Sequence, residues 1–125
     1  MMPAFCMMTK MIKINPENPE PEKIAEAVAL LKRGGVIAFP TETFYGLGAD
    51  AGNDSAVRRI FGIKGRDFCN PIPLIIGKKE DLPGLVKDIP ALAEALMARF
   101  WPGPLTLVFE ASGRVHPGLT AGTGK

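Results

Sequence analysis

Apolar and polar positions follow two different periods along this chain. Three stretches repeat apolar residues every three or four positions, which predicts amphipathic helices. Their apolar faces are Ile24, Val28 and Leu31; Val57, Ile60 and Phe61; and Leu92, Leu96, Met97 and Phe100. Four short apolar runs have the length of strands, at residues 11–14, 36–39, 72–76 and 105–109. The resulting order β-α-β-α-β-α-β predicts an α/β protein (α+β in some schemes) with an open, twisted mixed sheet covered by helices.

Local residue choice sets the expected helix ends. Pro21 suits a first helical turn, because its missing N–H has no partner there in any case. The two glycines at positions 34 and 35 end the first helix. Asp54 or Ser55 is predicted to cap a second helix that runs to about Ile63. A third helix is expected to begin near Pro90, where proline again fits the first turn.

Length and composition narrow the class of protein. A chain of 125 residues fits one domain, and 46% hydrophobic with 22% charged residues is typical of a globular protein. No apolar run reaches the roughly 20 residues of a membrane span, so no membrane partner is expected. Cys6 and Cys69 are far apart in sequence and form no CxxC pair. This argues against a zinc site or a disulfide framework and favours a reducing compartment, the cytoplasm.

Charge is distributed unevenly although the net charge is only +2. Residues 15–31 hold four acids against one lysine, a net charge of −3. Residues 55–79 hold six bases against one acid, a net charge of +5: Arg58, Arg59, Lys64, Arg66, Lys78 and Lys79 against Asp67. Such a segment is either a local anion-binding site or a solvated basic helix face.

A polar turn follows the strand predicted at residues 36–39. Three hydroxyls and a carboxylate lie within five residues, from Thr41, Glu42, Thr43 and Tyr45. Loops at strand ends of α/β sheets often bind ligands, and these groups can hold a small polar molecule. The glycines at positions 46 and 48 are expected to let the backbone approach that ligand. The alternative is an irregular turn whose hydroxyls satisfy local backbone groups.

Cationic groups come together at the end of the second predicted helix. Lys64 and Arg66 flank a glycine, and Asn70 follows four residues later. Two cations on a flexible hinge can grip phosphate oxygens, with arginine offering bidentate geometry. The alternative is a pair of cations that stabilise the helix C-terminus.

Three further features have structural interpretations. Trp101 precedes the sequence Pro-Gly-Pro, which predicts an aromatic plug at a sharp helix-to-strand turn. His116 has no partner in view and is interpreted as a turn residue. Cys69 has no nearby base in sequence, so a catalytic thiol is not expected.

Taken together, three stretches resemble one family. GGVIAFPTETFYGLGADA, AVRRIFGIKGRDFCNPIPLII and RFWPGPLTLVF have the order and spacing of the YrdC/YciO-type threonylcarbamoyl-AMP synthase family. The resemblance covers residues 21–125, which are expected to form a YrdC-like domain after an N-terminal segment and first strand at residues 1–20.

The resemblance implies a reaction and its partners. L-threonine and bicarbonate form a carbamate, which ATP with Mg²⁺ adenylates to threonylcarbamoyl-AMP and pyrophosphate. A complex of partner proteins then transfers the threonylcarbamoyl group to adenosine in tRNA, giving t6A. By position, Thr43 and Tyr45 would bind threonine, and Lys64, Arg66 and Asn70 would bind ATP. Lys64 and Arg66 would stabilise the charge that develops during adenylation.

The family pattern is not matched everywhere. Family members usually have proline where this chain has Asp67, and many have a histidine shortly after Asn70. They also continue into an Arg-bearing strand and a Ser-Asn motif, so the resemblance implies the N-terminal two-thirds of the domain. On that view the chain alone is not expected to be a competent enzyme, and an exposed sheet edge would favour a homo-oligomer. The alternative function is a YrdC-like module that binds double-stranded RNA or tRNA without synthase activity.

Overall fold

A computed structural model describes residues 9–65 and 70–125. The elements in chain order are α1 (Pro21–Lys32), β1 (Ile37–Pro40), β2 (Tyr45–Gly48), α2 (Asp54–Lys64), a 3-10 helix (Lys79–Gly84) and α3 (Ala91–Phe100). The predicted class, helices combined with an open sheet, is confirmed. The sheet in the described ranges is smaller than predicted, with two antiparallel strands.

All three predicted helices form, with ends close to those expected. α1 begins at Pro21 and finishes where Gly34 and Gly35 donate their N–H groups to the carbonyls of Leu31 and Leu30, both at 2.9 Å. Gly34 has φ +81°, a conformation that favours glycine. A Cβ on Gly35 would lie 2.6 Å from Leu30 Cγ, so both glycines are required by the way this helix ends.

The cap of α2 differs from the prediction by one residue. Asn53, rather than Asp54 or Ser55, accepts a hydrogen bond from the Ala56 N–H at 3.0 Å. Asparagine is among the residues preferred at the N-cap. A polar N-cap was therefore predicted correctly, but its position was wrong by one residue. The helix ends at Lys64, and Gly65 follows in the left-handed conformation with φ +60°.

The sheet is a hairpin. β1 pairs with β2 in an antiparallel register from Ile37 opposite Gly48 to Pro40 opposite Tyr45. β1 lies one residue further along than predicted, whereas β2 was not predicted. The missed strand has the sequence YGLG, and two glycines in four residues remove the side chains on which the period-two signal depends.

Three of the four predicted strands are wrong for the described residues. Residues 11–14, 72–76 and 105–109 belong to no strand there, although burial alternates along residues 11–14 and 105–109. Nearby, an isolated bridge joins Val86 and Ala111. The alternation of apolar residues indicates which side chains face the protein. A strand forms only where the backbone also makes hydrogen bonds with a neighbouring strand.

The core lies between α2 and the C-terminal loop. Val57 and Phe61 from α2 pack with Leu119, and Ile72 and Val115 pack against this cluster. The Ile72 N–H donates to the Leu119 carbonyl at 2.9 Å. These contacts fix the loop on the inner face of α2 and leave the outer face to solvent.

The third helix and its exit complete the fold. α3 begins after Pro90, and its Met97 is the largest fully buried side chain among the described residues. Trp101 is half-buried and donates from Nε1 to the Leu105 carbonyl at 2.8 Å, which confirms its structural role. A Cβ on Gly103 would lie 2.3 Å from the Phe100 carbonyl oxygen, so this corner requires glycine. None of the helices in the described ranges has the length and apolar character needed to cross a membrane.

Candidate functional site

The hairpin turn of residues 41–44 is built around one hydroxyl. Thr41 Oγ1 accepts from the N–H groups of Thr43 and Phe44, each at 3.2 Å, and donates to the Phe44 carbonyl. The Thr41 N–H also donates to that carbonyl, at 3.2 Å. Thr41 therefore satisfies local backbone groups, as the alternative interpretation of the sequence proposed for this turn.

The other polar groups of the hairpin turn face solvent. The Thr43 hydroxyl has a single contact, at 3.4 Å from Thr41 Oγ1, and its residue is exposed. Phe44 and Tyr45 are 83% and 77% exposed. Glu42 is exposed as well. Thr41 thus holds the backbone while Thr43, Tyr45 and Glu42 present a hydroxyl, a phenol and a carboxylate that remain available to a ligand.

The glycines of β2 have a structural reason. A Cβ on Gly46 would lie 3.3 Å from the Phe39 ring, and one on Gly48 would lie 2.9 Å from it. The ring of Phe39 from β1 therefore lies across β2 in the space that side chains would occupy. Packing of this ring accounts for both glycines, and their expected role in admitting a ligand to the backbone stays a prediction.

The second group of predicted residues surrounds the C-terminal end of α2. Lys64 is the last residue of the helix and is exposed. Arg66 lies outside the described residues. Asn70 is exposed at the point where the described chain resumes. The αL glycine after Lys64 ends the helix, which leaves the last carbonyls beside a cationic side chain.

Helix α2 and its cap lie against the α1–β1 connection, next to the base of the hairpin. Arg59 donates from a guanidinium nitrogen to the Gly34 carbonyl at 3.3 Å. A Cβ on Gly34 would lie 2.9 Å from Asn53 Nδ2, so the α1–β1 connection and the cap of α2 are in close approach. Between the hairpin turn and Lys64 or Asn70, however, no hydrogen bond or ion pair forms in the described ranges.

One polar pair was missed by the sequence analysis. His116 Nε2 lies 3.1 Å from an Asp54 carboxylate oxygen, and His116 Nδ1 accepts from the Gly118 N–H at 3.0 Å. Because Nδ1 accepts, the ring proton sits on Nε2 and is donated to Asp54. This pair fixes the C-terminal loop to the first turn of α2. The two residues are 62 positions apart in the sequence, so no local pattern indicated the contact.

No group of three or more histidine, cysteine or acidic side chains suited to a metal ion occurs in the part of the chain that the structure describes. Mg²⁺ commonly binds through substrate phosphates and one or two carboxylates rather than in a cage of protein ligands.

Comparison with known proteins identifies the family. The Sua5/YciO/YrdC family model, described as "Telomere recombination", matches residues 29–125. The chain belongs to this family. It is 48% identical over 115 residues to the threonylcarbamoyl-AMP synthase of Pyrococcus abyssi, covering 92% of this chain and 34% of the relative. It is 46% identical over 101 residues to the Bacillus subtilis enzyme of that name, covering 80% and 29%.

Solved structures agree with this assignment. A structure of Pyrococcus abyssi Sua5 complexed with L-threonine matches with a TM-score of 0.82 and 48% identity, over 86% of this chain and 32% of that one. A solution structure from Methanobacterium thermoautotrophicum matches with a TM-score of 0.68 and 34% identity, over 92% and 55%. The chain therefore spans about a third of the Pyrococcus relative, and its fold is that of the corresponding part of Sua5.

Proposed function

We propose that this chain contributes the L-threonine and ATP sites of a threonylcarbamoyl-AMP synthase. The observation that supports the proposal best is its 48% identity to a Sua5 protein whose structure was solved with L-threonine. The exposed hydroxyl of Thr43 and the phenol of Tyr45 are the groups proposed to bind the amino acid. Lys64, Arg66 and Asn70 are proposed to bind the nucleotide.

The proposed chemistry needs positioning and charge neutralisation. The threonine amine attacks bicarbonate and water leaves, which gives a carbamate. A carbamate oxygen then attacks the α-phosphorus of ATP, and pyrophosphate leaves. Lys64 and Arg66 would neutralise the charge that develops on the phosphates, and alignment of the two substrates would supply much of the acceleration. Mg²⁺ would enter as the complex with ATP.

A pair of matched variants tests the amino-acid site. Thr43→Val keeps the side-chain shape and removes one hydroxyl, so calorimetric affinity for L-threonine should fall by about 0.5–1.5 kcal/mol, the value of one hydrogen bond. Thr106→Val is the control, since Thr106 is exposed and makes no hydrogen bond in the described structure. Equal losses in both variants, or no loss in either, would contradict the assignment of Thr43.

The nucleotide site has its own matched pair. Lys64 and Lys32 are both exposed lysines that end a helix, α2 and α1 respectively. Lys64→Ala should weaken ATP binding by about 1.5–3 kcal/mol, the range of a hydrogen bond to a charged group. Lys32→Ala should leave ATP affinity unchanged. If both lysines matter equally, ATP is responding to overall charge and the site is not at the end of α2.

A second function is favoured by the exposed cations of α2. Arg58 and Arg59 are neighbours on the helix and Lys64 lies at its C-terminal end; all three are exposed, and no ion pair engages them in the described ranges. Cations of this kind would suit the phosphates of double-stranded RNA or tRNA. Binding carried by phosphate contacts should weaken steeply with salt, by roughly 0.9 logarithmic units per logarithmic unit of salt for each contact on a duplex. Affinity for RNA that is independent of salt would exclude it.

The remaining assignments follow the synthase proposal. A cytoplasmic location and transfer of the threonylcarbamoyl group to tRNA by partner proteins are proposed on the strength of the relatives' activity. Pyrophosphate release that requires both threonine and bicarbonate is the corresponding activity measurement, made on the longest available chain that includes these residues.

A further inference from the structure

One carbonyl group at the end of α1 is bound by a side chain of α2. Gly34 and Gly35 donate their N–H groups back to carbonyls of α1. The Gly34 carbonyl in turn accepts a hydrogen bond from a guanidinium nitrogen of Arg59 at 3.3 Å. Arg59 is an exposed residue of α2, 25 positions further along the chain. This bond therefore joins the segment that leads into β1 to the helix that ends at Lys64.

The cap of α2 meets the same glycine. A Cβ on Gly34 would lie 2.9 Å from Asn53 Nδ2, so the Asn53 side chain lies directly beside the Gly34 backbone. The Asn53 carboxamide is itself held in place, because its oxygen accepts from the Ala56 N–H at 3.0 Å. The cap and the second turn of α2 thus each contact one residue of the α1–β1 connection through a side chain.

The hairpin is attached to α2 through both of its strands. β2 leads into α2 through a turn in which the Asp50 carbonyl accepts from the Asn53 N–H at 3.0 Å. β1 begins three residues after Gly34, where Arg59 binds. A hairpin held by the turn alone could rotate about it, whereas a second attachment at Gly34 fixes the direction of the hairpin relative to α2.

A small rotation at the base of the hairpin is enlarged at its turn. Residues 41–44 lie at the far end of two four-residue strands. Strands of this length span about 13 Å, so a rotation of about 10° at the base moves the turn by roughly 2 Å. Misplacement of reacting groups by about 1 Å can slow a reaction about a hundredfold. A residue that fixes this direction therefore acts on any reaction between a group held at the turn and a group held at the end of α2.

We propose that Arg59 is a positioning residue, which fixes the hairpin turn with Thr43 relative to the C-terminal end of α2 with Lys64. The inference rests on the proposed threonine and ATP sites, and Arg59 acts through the hairpin rather than on a substrate. Adenylation requires a carbamate oxygen in line with the α-phosphorus of ATP, so the relative direction of the two sites controls the reaction. Loss of the Arg59 side chain leaves each site intact but misaligns one with the other.

Residual dipolar couplings measured by NMR test this positioning without any ligand. In wild type, the N–H vectors of β1, β2 and α2 should fit one common alignment tensor. In Arg59→Gln, the hairpin should require its own tensor of smaller magnitude, because it moves relative to α2. One common tensor in this variant overturns the proposal.

Arg33→Gln is the matched control for the loss of charge. Arg33 precedes Gly34 and is exposed, and its side chain makes no hydrogen bond or ion pair in the described ranges. This variant should keep the common tensor of wild type. An independent hairpin in Arg33→Gln as well would assign the effect to charge rather than to the bond with Gly34, and overturns the proposal.

Calorimetry tests the consequence for the two proposed sites. A hydrolysis-resistant analogue of threonylcarbamoyl-AMP spans both sites, whereas L-threonine and ATP each occupy one. Arg59→Gln should weaken binding of this analogue by about tenfold, because two linked groups bind together only where their sites are aligned. L-threonine and ATP should each bind within about twofold of wild type, less than the effect of a lost hydrogen bond. Arg33→Gln should leave all three affinities unchanged.

The outcomes separate the positioning role from the proposed function. Unchanged binding of the analogue in Arg59→Gln, or equal weakening in Arg33→Gln, overturns the positioning role. An equal loss of affinity for L-threonine or ATP alone also overturns it, because Arg59 would then belong to one of the sites. If wild type binds neither L-threonine nor ATP, the synthase proposal fails, and the dipolar couplings still decide whether Arg59 fixes the hairpin.

Discussion

Strand β1 and residues 105–109 have the same alternation of burial, but in the part of the chain that the structure describes only β1 has a backbone partner. Along β1 half-buried and exposed residues alternate, as they do along residues 105–109. β1 reaches its partner through the four residues of the hairpin turn. In the described ranges, residues 106–109 have no such neighbour. Closing a short loop loses little chain entropy, so a partner nearby in sequence is the one most easily paired. Alternation alone thus identifies residues that suit a strand, and a partner decides whether one forms.

The largest expected effect comes from adding one methyl group to the hairpin. Gly48→Ala would place a Cβ 2.9 Å from the Phe39 ring, so the ring or β2 must move. We expect a loss of about 1–3 kcal/mol in the free energy of unfolding, as for other overpacked sites. Urea denaturation followed by circular dichroism measures this difference.

The same substitution of alanine for glycine in α2 should change the free energy of unfolding in the opposite direction. Gly62 lies inside α2, and a Cβ there would meet nothing within 4 Å. Gly62→Ala should raise the free energy of unfolding by about 0.4–1 kcal/mol, because alanine restricts the unfolded chain and favours helix. Destabilisation of similar size by both alanines would show that the close contact with the Phe39 ring is not the cause of the loss at Gly48.

Replacing threonine with valine should have a smaller effect on stability, and one that differs between the hairpin turn and residues 105–109. Thr41→Val removes the hydroxyl that organises the hairpin turn and should lower stability by about 0.5–1.5 kcal/mol. Thr106→Val removes an exposed hydroxyl that has no bond in the described structure, and should change stability by less than about 0.5 kcal/mol. Thermal unfolding of the two variants side by side gives the comparison. A larger loss at position 106 would contradict the finding that the Thr106 hydroxyl makes no hydrogen bond.

The fold could be predicted from the sequence where one local rule was sufficient. Helices α1, α2 and α3 follow from apolar spacing with proline and glycine at their ends. β2 was missed because its glycines are required by the Phe39 ring, a contact between neighbouring strands. The exposed hydroxyl of Thr43 could be predicted as a candidate ligand group, whereas the structural task of Thr41 was only an alternative. The contact of His116 with Asp54 depends on how the loop folds back, which no local pattern indicates.

The smallest effect concerns residues 11–14, a third segment with alternating burial and no strand in the described structure. Side chains hold it instead. Lys23 Nζ donates to the Lys13 carbonyl at 2.6 Å, and Glu20 accepts from Lys23 Nζ at 2.7 Å and from the Asn15 N–H at 3.0 Å. The hydrogen bond from Lys23, then that from the Asn15 N–H, lowers the pKa of Glu20 from an ordinary 4.5 to about 2.

A pH titration tests this attachment. Because the folded state favours the carboxylate, the stabilisation is present above about pH 4.5 and is lost as pH falls toward 2. The Asn15 amide resonance should therefore titrate with a midpoint near 2. In Glu20→Gln, the low-pH transition of Asn15 should disappear while the hairpin amides are unaffected. A midpoint at the ordinary glutamate value would contradict the attachment.

The most direct test of the account is to map L-threonine on the isotopically labelled chain by NMR. The central claim is that the exposed groups of the hairpin turn bind the amino acid, whereas Thr41 only builds the turn. We predict that L-threonine shifts the amides of Thr43, Phe44 and Tyr45 in a saturable way. L-valine, which has the same shape without the hydroxyl, should shift them far less. Shifts that cluster elsewhere, or identical responses to the two amino acids, would contradict the assignment of this turn.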